Sequence, residues 1–154
     1  AWDGLATRLR LLGRRRIILS SISFTVHGIP APQGSRAPYG GESNPRTKPW
    51  RAAVTAAAAE AMDGKPLLAG PLRLEVTFGF PRPKLHMRAN GNVKDSAPLY
   101  HATRPDTDKL VRAIGDALTG VVFRDDAQIA RLVADKIYAD KAEVFIDVEE
   151  IGSV

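Results

Sequence analysis

The sequence predicts one small domain of α/β (α+β) class, a mixed β-sheet packed with two α-helices. Three observations carry that expectation. Local periodicities follow the order strand, helix, strand, helix, strand, strand, which suits a small sheet covered by helices. The chain has 154 residues, about the size of one domain with one core. It also contains no cysteine and no internal repeat, which excludes a disulfide-stapled scaffold and a solenoid.

Each element follows from its residues. In "SSISFTVHG", Ile22, Phe24 and Val26 alternate with Ser21, Ser23 and Thr25, the period of a half-buried strand. Residues 28–46 are crowded with Gly and Pro and are expected to form a long loop. "KPWRAAVTAAAAEAMDG" is alanine-rich, with Pro49 near its start and Gly64 past its end, and so predicts a helix. "PLRLEVTFGF" alternates Leu72, Leu74, Val76, Phe78 and Phe80 with mostly polar neighbours; this strand should line the core. Residues 81–105 show no periodicity, and a loop of that length is functional or disordered. A helix over 107–118 follows, with Asp106 or Asp108 as its N-cap and Gly115 as a weak point. Strands over 128–138 and 142–151 end the chain, joined at "ADK".

Residues 1–19 are basic and carry no acid after Asp3. They are expected to be a disordered or artefactual extension rather than a transit peptide, leaving residues 20–154 as the domain. The longest apolar runs fall far short of the roughly 20 residues of a membrane span, and three arginines interrupt "LLGRRRIIL", so neither a membrane anchor nor a secretory signal is expected.

Charge is divided unevenly. Residues 1–105 carry a net +10 and residues 106–154 a net −5, within a total of +5. A basic surface attracts polyanions, and a local group of carboxylates suits a divalent cation held by oxygen ligands. The cations of the two loops and their borders, Arg36, Arg46, Lys48, Arg82, Lys84, Arg88, Lys94 and Arg104, are candidate phosphate contacts.

The carboxylates concentrate in "RPDTDKLVRAIGDAL" and "FRDDAQI". Asp106 and Asp108 straddle one residue at a loop-to-helix junction, where both side chains can point toward one centre. Converging carboxylates repel unless a cation lies between them, and magnesium takes one or two of them together with water and phosphate. A third ligand would come from Asp125 or Asp126, provided that the following strand runs back beside the helix. The plain alternative is that these aspartates cap a helix and close a turn. Arg112 stands four residues after Asp108 on the same helix face, and Asp116 four residues after Arg112 predicts an intrahelical ion pair. Gln128 reads as a strand-edge residue, Trp50 as core, and Tyr100 as a candidate stacking surface. No spacing among His27, His86 and His101 makes a metal site.

The run "PDTDKL…DAL…VVFRDDAQI", the approach "SAPLYHATRPDTD" and the opening "ISFTVHGIPAPQGSR" resemble the RusA family of Holliday junction resolvases over residues 21–151. The resemblance implies a RusA-like fold and a homodimeric, Mg2+-dependent endodeoxyribonuclease, with Mn2+ able to substitute. Such an enzyme makes paired symmetric nicks in four-way junction DNA during recombination and repair. It also implies a cytoplasmic protein, bacterial or phage-encoded, with no membrane partner. The family's essential residues fall on Asp106, Asp108 and Asp126 as metal ligands, with Asp125 as the alternative, and on Arg112 where the family pattern has lysine. Arginine stays charged in proteins, so Arg112 can clamp phosphate or stabilise charge but cannot serve as a general base. Lys109 is a further cation for DNA. Two other readings stay open: a non-catalytic DNA-binding module, and a nuclease acting more broadly on branched DNA.

Overall fold

The computed structural model describes residues 16–34, 39, 41 and 44–153. The expected residues 1–15 of the extension and Arg36 lie outside the described residues. Four strands, β1 (Arg16–His27), β2 (Leu72–Pro81), β3 (Ile129–Ala139) and β4 (Glu143–Ser153), combine with two α-helices, α1 (Thr47–Met62) and α2 (Thr107–Leu118). The sheet is mixed, in the order β1-β4-β2-β3. β4 runs antiparallel to both β1 and β2, and β2 runs parallel to β3. A parallel pair needs a crossover connection, and α2 supplies it. The chain is thus the small α+β sandwich that its periodicities predict.

Both helices lie over one face of the sheet. The alternation in β2 puts Leu72, Leu74, Val76 and Phe78 at zero exposure, beside Val144, Ile146 and Val148 of β4. Each such side chain contributes about 1.5–3 kcal/mol by leaving water. Helix α1 adds Trp50, Val54, Ala58 and Met62 to this core, and α2 adds Leu110, Ala113, Ile114, Ala117 and Leu118. Trp50 is therefore a core residue.

The opposite face of the sheet carries the alternate residues. There Arg73 holds Glu75 at 2.6 Å, Asp147 at 3.6 Å and Glu149 at 3.8 Å. Burial, and then the charge of Glu149, push the Asp147 carboxyl above its usual range despite Arg73.

Two regions differ from expectation. Strand β1 begins at Arg16, so residues 16–19, assigned from sequence to the extension, belong to it: residues 16–18 pair with the end of β4, and Leu19 falls at the register shift between Ile18 and Ser20. Ile17, Ile18 and Leu19 form an apolar run without alternation and are exposed, which removes the period-two signal. Residues 81–105 are ordered by local contacts instead of periodicity. A 3-10 turn at Lys84–His86 leads to a Met87↔Val93 bridge. Residues 99–101 then dock on the edge of β3, with Tyr138 N–H donating to Leu99 O at 2.9 Å and His101 N–H to Lys136 O at 3.0 Å.

Candidate active site

Helix α2 and the turn before β3 position the carboxylates. Asp106 occupies the N-cap position of α2 with extended backbone, and its carbonyl accepts the Leu110 N–H at 3.1 Å. Its carboxylate makes no capping hydrogen bond; it lies 3.6 Å from Lys109 Nζ, and both side chains are about half exposed. Asp108 sits in the first turn of α2 and is exposed. The capping role foreseen for either carboxylate is thus not taken by Asp106.

The "RDD" turn divides its two aspartates. Asp125 is the cap: its side chain accepts the Ala127 N–H at 2.8 Å, and Gln128 Oε1 accepts the Asp125 N–H at 3.0 Å, completing a capping box. Gln128 Nε2 donates to Leu68 O and Gly70 O. Gln128 therefore fixes the turn, a role beyond the strand edge expected for it. Asp126 has no such duty. It lies against α2, with Oδ2 3.7 Å from where a Cβ on Gly115 would stand. Buried Gly115, a weak point in helix propensity, is the place where this turn approaches the helix.

A groove of about 590 Å³ between α2 and β3 is lined by Asp108, Arg112, Gly115 and Asp126, with Val111, Ile129 and Leu132 as apolar walls. Strand β3 does run back beside α2: Lys136 Nζ donates to Thr103 O and Pro105 O, each at 2.7 Å, at the helix start. Asp126 nevertheless stays level with Gly115, seven residues and about 10 Å along the axis from Asp108. The carboxylates are strung along the groove, and among the described residues no three acidic or histidine side chains gather closely enough to hold a metal ion.

Asp106 faces a separate pocket of about 370 Å³ on the other side of the helix start, shared with Arg46, Arg104 and Lys109. The pocket is closed by the loop after β1, where Gln33 N–H donates to Lys109 O at 3.0 Å.

The expected Arg112–Asp116 pair is not made. Asp116 instead accepts a hydrogen bond from Gln33 Nε2 and lies 3.9 Å from Arg51 Nη1. Packing of α1 and the first loop against α2 offers Asp116 these partners, and Arg112 has no ion-pair partner among the described residues.

The cations assigned from sequence to DNA separate in the same way. Arg82 is structural, donating to Pro98 O at 2.8 Å and lying over the Tyr138 ring. Arg88 pairs with Asp95 at 2.9 Å. Lys48 and Lys84 are exposed and Lys94 is half-buried.

Lys136 and His101 were invisible to pattern reading, because their partners are backbone carbonyls and rings brought together by docking of the loop on β3. His101 stacks on Phe80 at a centroid distance of 4.2 Å. Burial, and then the Lys136 charge, lower its pKa and favour the neutral ring.

Residues 33–149 match the family model described as Endodeoxyribonuclease RusA. The chain belongs to the RusA endodeoxyribonuclease family. It is also similar to the uncharacterized protein YqaN of Bacillus subtilis (strain 168), with 26% identity over 144 residues, covering 88% of this chain and all of that protein. Membership of the RusA family makes the chain a nuclease of DNA by descent. No described helix is long and apolar enough to cross a membrane.

Proposed function

We propose that this protein is a divalent-metal-dependent endodeoxyribonuclease of the cytoplasm that resolves four-way DNA junctions as a homodimer, through paired symmetric phosphodiester hydrolysis. One observation carries the reading: the carboxylates around α2 divide their labour. Asp116 and Asp125 are consumed in holding the fold, whereas the Asp106 carboxylate caps nothing and Asp108 and Asp126 remain exposed beside Arg112. Exposed carboxylates that cap nothing, with Lys109 beside Asp106 as their one ion-pair partner among the described residues, fit a site completed by cations and phosphate.

The donor set suits Mg2+ or Mn2+. All candidates are hard carboxylate oxygens, and magnesium needs only one or two of these when water and substrate phosphate fill its remaining positions. Asp108 and Asp126, which share the α2–β3 groove, are the proposed ligands, one or two carboxylates to an ion. Asp106, which lines the neighbouring pocket, is a further candidate that does not gather with them in this arrangement. When bound, such an ion lowers the pKa of an attacking water and stabilises charge on the phosphate and leaving oxygens.

The chain's own residues supply the rest. Arg112, in the same groove as Asp108 and Asp126, places a permanent cation beside the developing charge and holds a phosphate oxygen. Lys136 fixes the carbonyls of Thr103 and Pro105 and so sets the direction from which Asp106 enters the helix. The exposed cations of the two loops contact phosphates, recognising shape more than sequence. One centre cuts one strand, so two symmetric nicks call for two centres, which a twofold dimer provides.

The test compares end-labelled four-way junctions, flaps and linear duplex, each with magnesium and with EDTA. Paired symmetric nicks confined to the junction and dependent on magnesium are expected. Equal cutting of flaps and junctions would move the reading to a broader branched-DNA nuclease.

A further inference from the structure

The pocket beside Asp106 has a chemistry that metal binding and phosphate contact leave unused. Its volume of about 370 Å³ lies at the lower end of the range for small-ligand sites. One side is apolar: Ile29, Pro30, Ala31 and Pro32 from the loop after β1 face Phe80 at the end of β2. Phe80 is 6% exposed and stacks on His101, so only a small part of it is open to the pocket and its ring is packed in place.

The rim is charged. Arg46, Arg104 and Lys109 stand against one carboxylate, Asp106, which Lys109 already neutralises. Arg46 and Arg104 have no ion-pair partner among the described residues. Asn44 shares the lining, and with its Oδ1 accepting the Arg46 N–H at 2.9 Å its amide NH2 is the group left to donate.

A pocket with an apolar side and, at its rim, guanidinium groups that have no ion-pair partner among the described residues fits a nucleotide whose base has left the stack. Apolar and aromatic side chains receive the base face, amides read its edge, and cations hold the adjoining phosphates. The pocket opens at the start of α2, whose N-terminal dipole favours phosphate there.

We propose that this pocket binds one unstacked nucleotide of the DNA substrate, with its base between the Ile29–Pro32 loop and Phe80 and its phosphates on Arg46 and Arg104. The inference rests on the reading of the protein as a branched-DNA nuclease and deepens it by giving a physical source of selectivity. Taking a base out of intact duplex costs a few kcal/mol, and the cost is smallest where pairing is already broken. A branch point meets that condition and a linear duplex does not.

The test measures binding in EDTA, so that it does not depend on cleavage. The probes are a duplex carrying a single-nucleotide thymine bulge, the same duplex with an abasic bulge, and a four-way junction with or without abasic residues at the branch point. Wild-type protein should bind the base-containing probes roughly 5- to 100-fold more tightly than their abasic counterparts, the range expected for one stacked base.

Ile29→Trp fills the pocket at a position that is 48% exposed and should erase that ratio. Arg104→Ala should weaken both members of each pair alike and lower the salt dependence of binding. Equal wild-type affinity for base and abasic probes, or an unchanged ratio in Ile29→Trp, would overturn the pocket assignment. If the bulge ratio holds while junctions are neither preferred nor cut, the pocket stands and the resolvase reading fails.

Discussion

At the scale of single residues, Asp125 caps a turn while the proposed function gives its neighbour Asp126 a chemical duty, and the difference is measurable. Asp125→Ala removes a cap and should cost about 1 kcal/mol, lowering Tm by about 2–4 °C for a domain of this size, while the cleavage rate stays within a few-fold of wild type. Asp126→Asn should leave Tm within 1–2 °C and reduce cleavage by about 100-fold or more. Thermal melts and single-turnover cleavage on both variants check this, and the reverse pattern would make Asp125 the chemical residue. For Arg112, whose expected partner Asp116 is held by Gln33 and Arg51, the proposed function makes charge the property to test. Arg112→Lys should retain cleavage within about tenfold, and Arg112→Ala should lose about 100-fold; complete loss in the lysine variant would instead mean that guanidinium geometry is required. The local sequence made the aspartates, Arg112 and their helix face legible, because helix spacing fixes faces. The choice between Asp125 and Asp126 was not legible from spacing, since adjacent residues in a turn differ only in which backbone N–H each can reach.

At the scale of elements, the outer face of the sheet is a pH-sensitive part of the fold. Asp147 of β4 shares Arg73 with Glu75 and Glu149, and its carboxyl is raised above the usual value by burial and by Glu149. An acid whose folded pKa is raised contributes stability that is fully present below its unfolded pKa, near 3.9, and is lost as pH rises through the folded value. Asp147→Asn should therefore raise Tm at pH 7, with the gain shrinking toward pH 4; a lower Tm at pH 7 would show that attraction to Arg73 outweighs burial. The alternation of β2 and the amphipathic pattern of α2 made those elements readable, because one face of each packs on the core. The start of β1 was not readable, since Ile17, Ile18 and Leu19 stay exposed. Nor was docking of residues 99–101 on β3, which rests on two backbone hydrogen bonds and ring contacts that no local period encodes.

At the scale of the whole molecule, a parallel β2–β3 pair joined through α2 is what lays Asp108 and Asp126 along one groove and opens a basic pocket beside Asp106 at the helix start. The sequence asked for a strand that returns beside the helix, and β3 does so. The level at which Asp126 meets α2 depends on Gly115 and the capped turn, a packing outcome beyond the reach of spacing. Since the total charge is +5, DNA affinity should fall steeply with salt, while cleavage should depend on the aspartates on and beside α2. The most direct test is single-turnover cleavage of an end-labelled mobile four-way junction in magnesium by wild type and Asp108→Asn, with junction affinity measured in EDTA. Asp108→Asn is expected to bind the junction at least as tightly as wild type, because a negative charge near DNA is gone, and to cut it about 100-fold more slowly or not at all. Cleavage that persists unchanged in Asp108→Asn would contradict the role given to Asp108, and junction binding by both proteins with cutting by neither would leave α2 as the helix of a DNA-binding module.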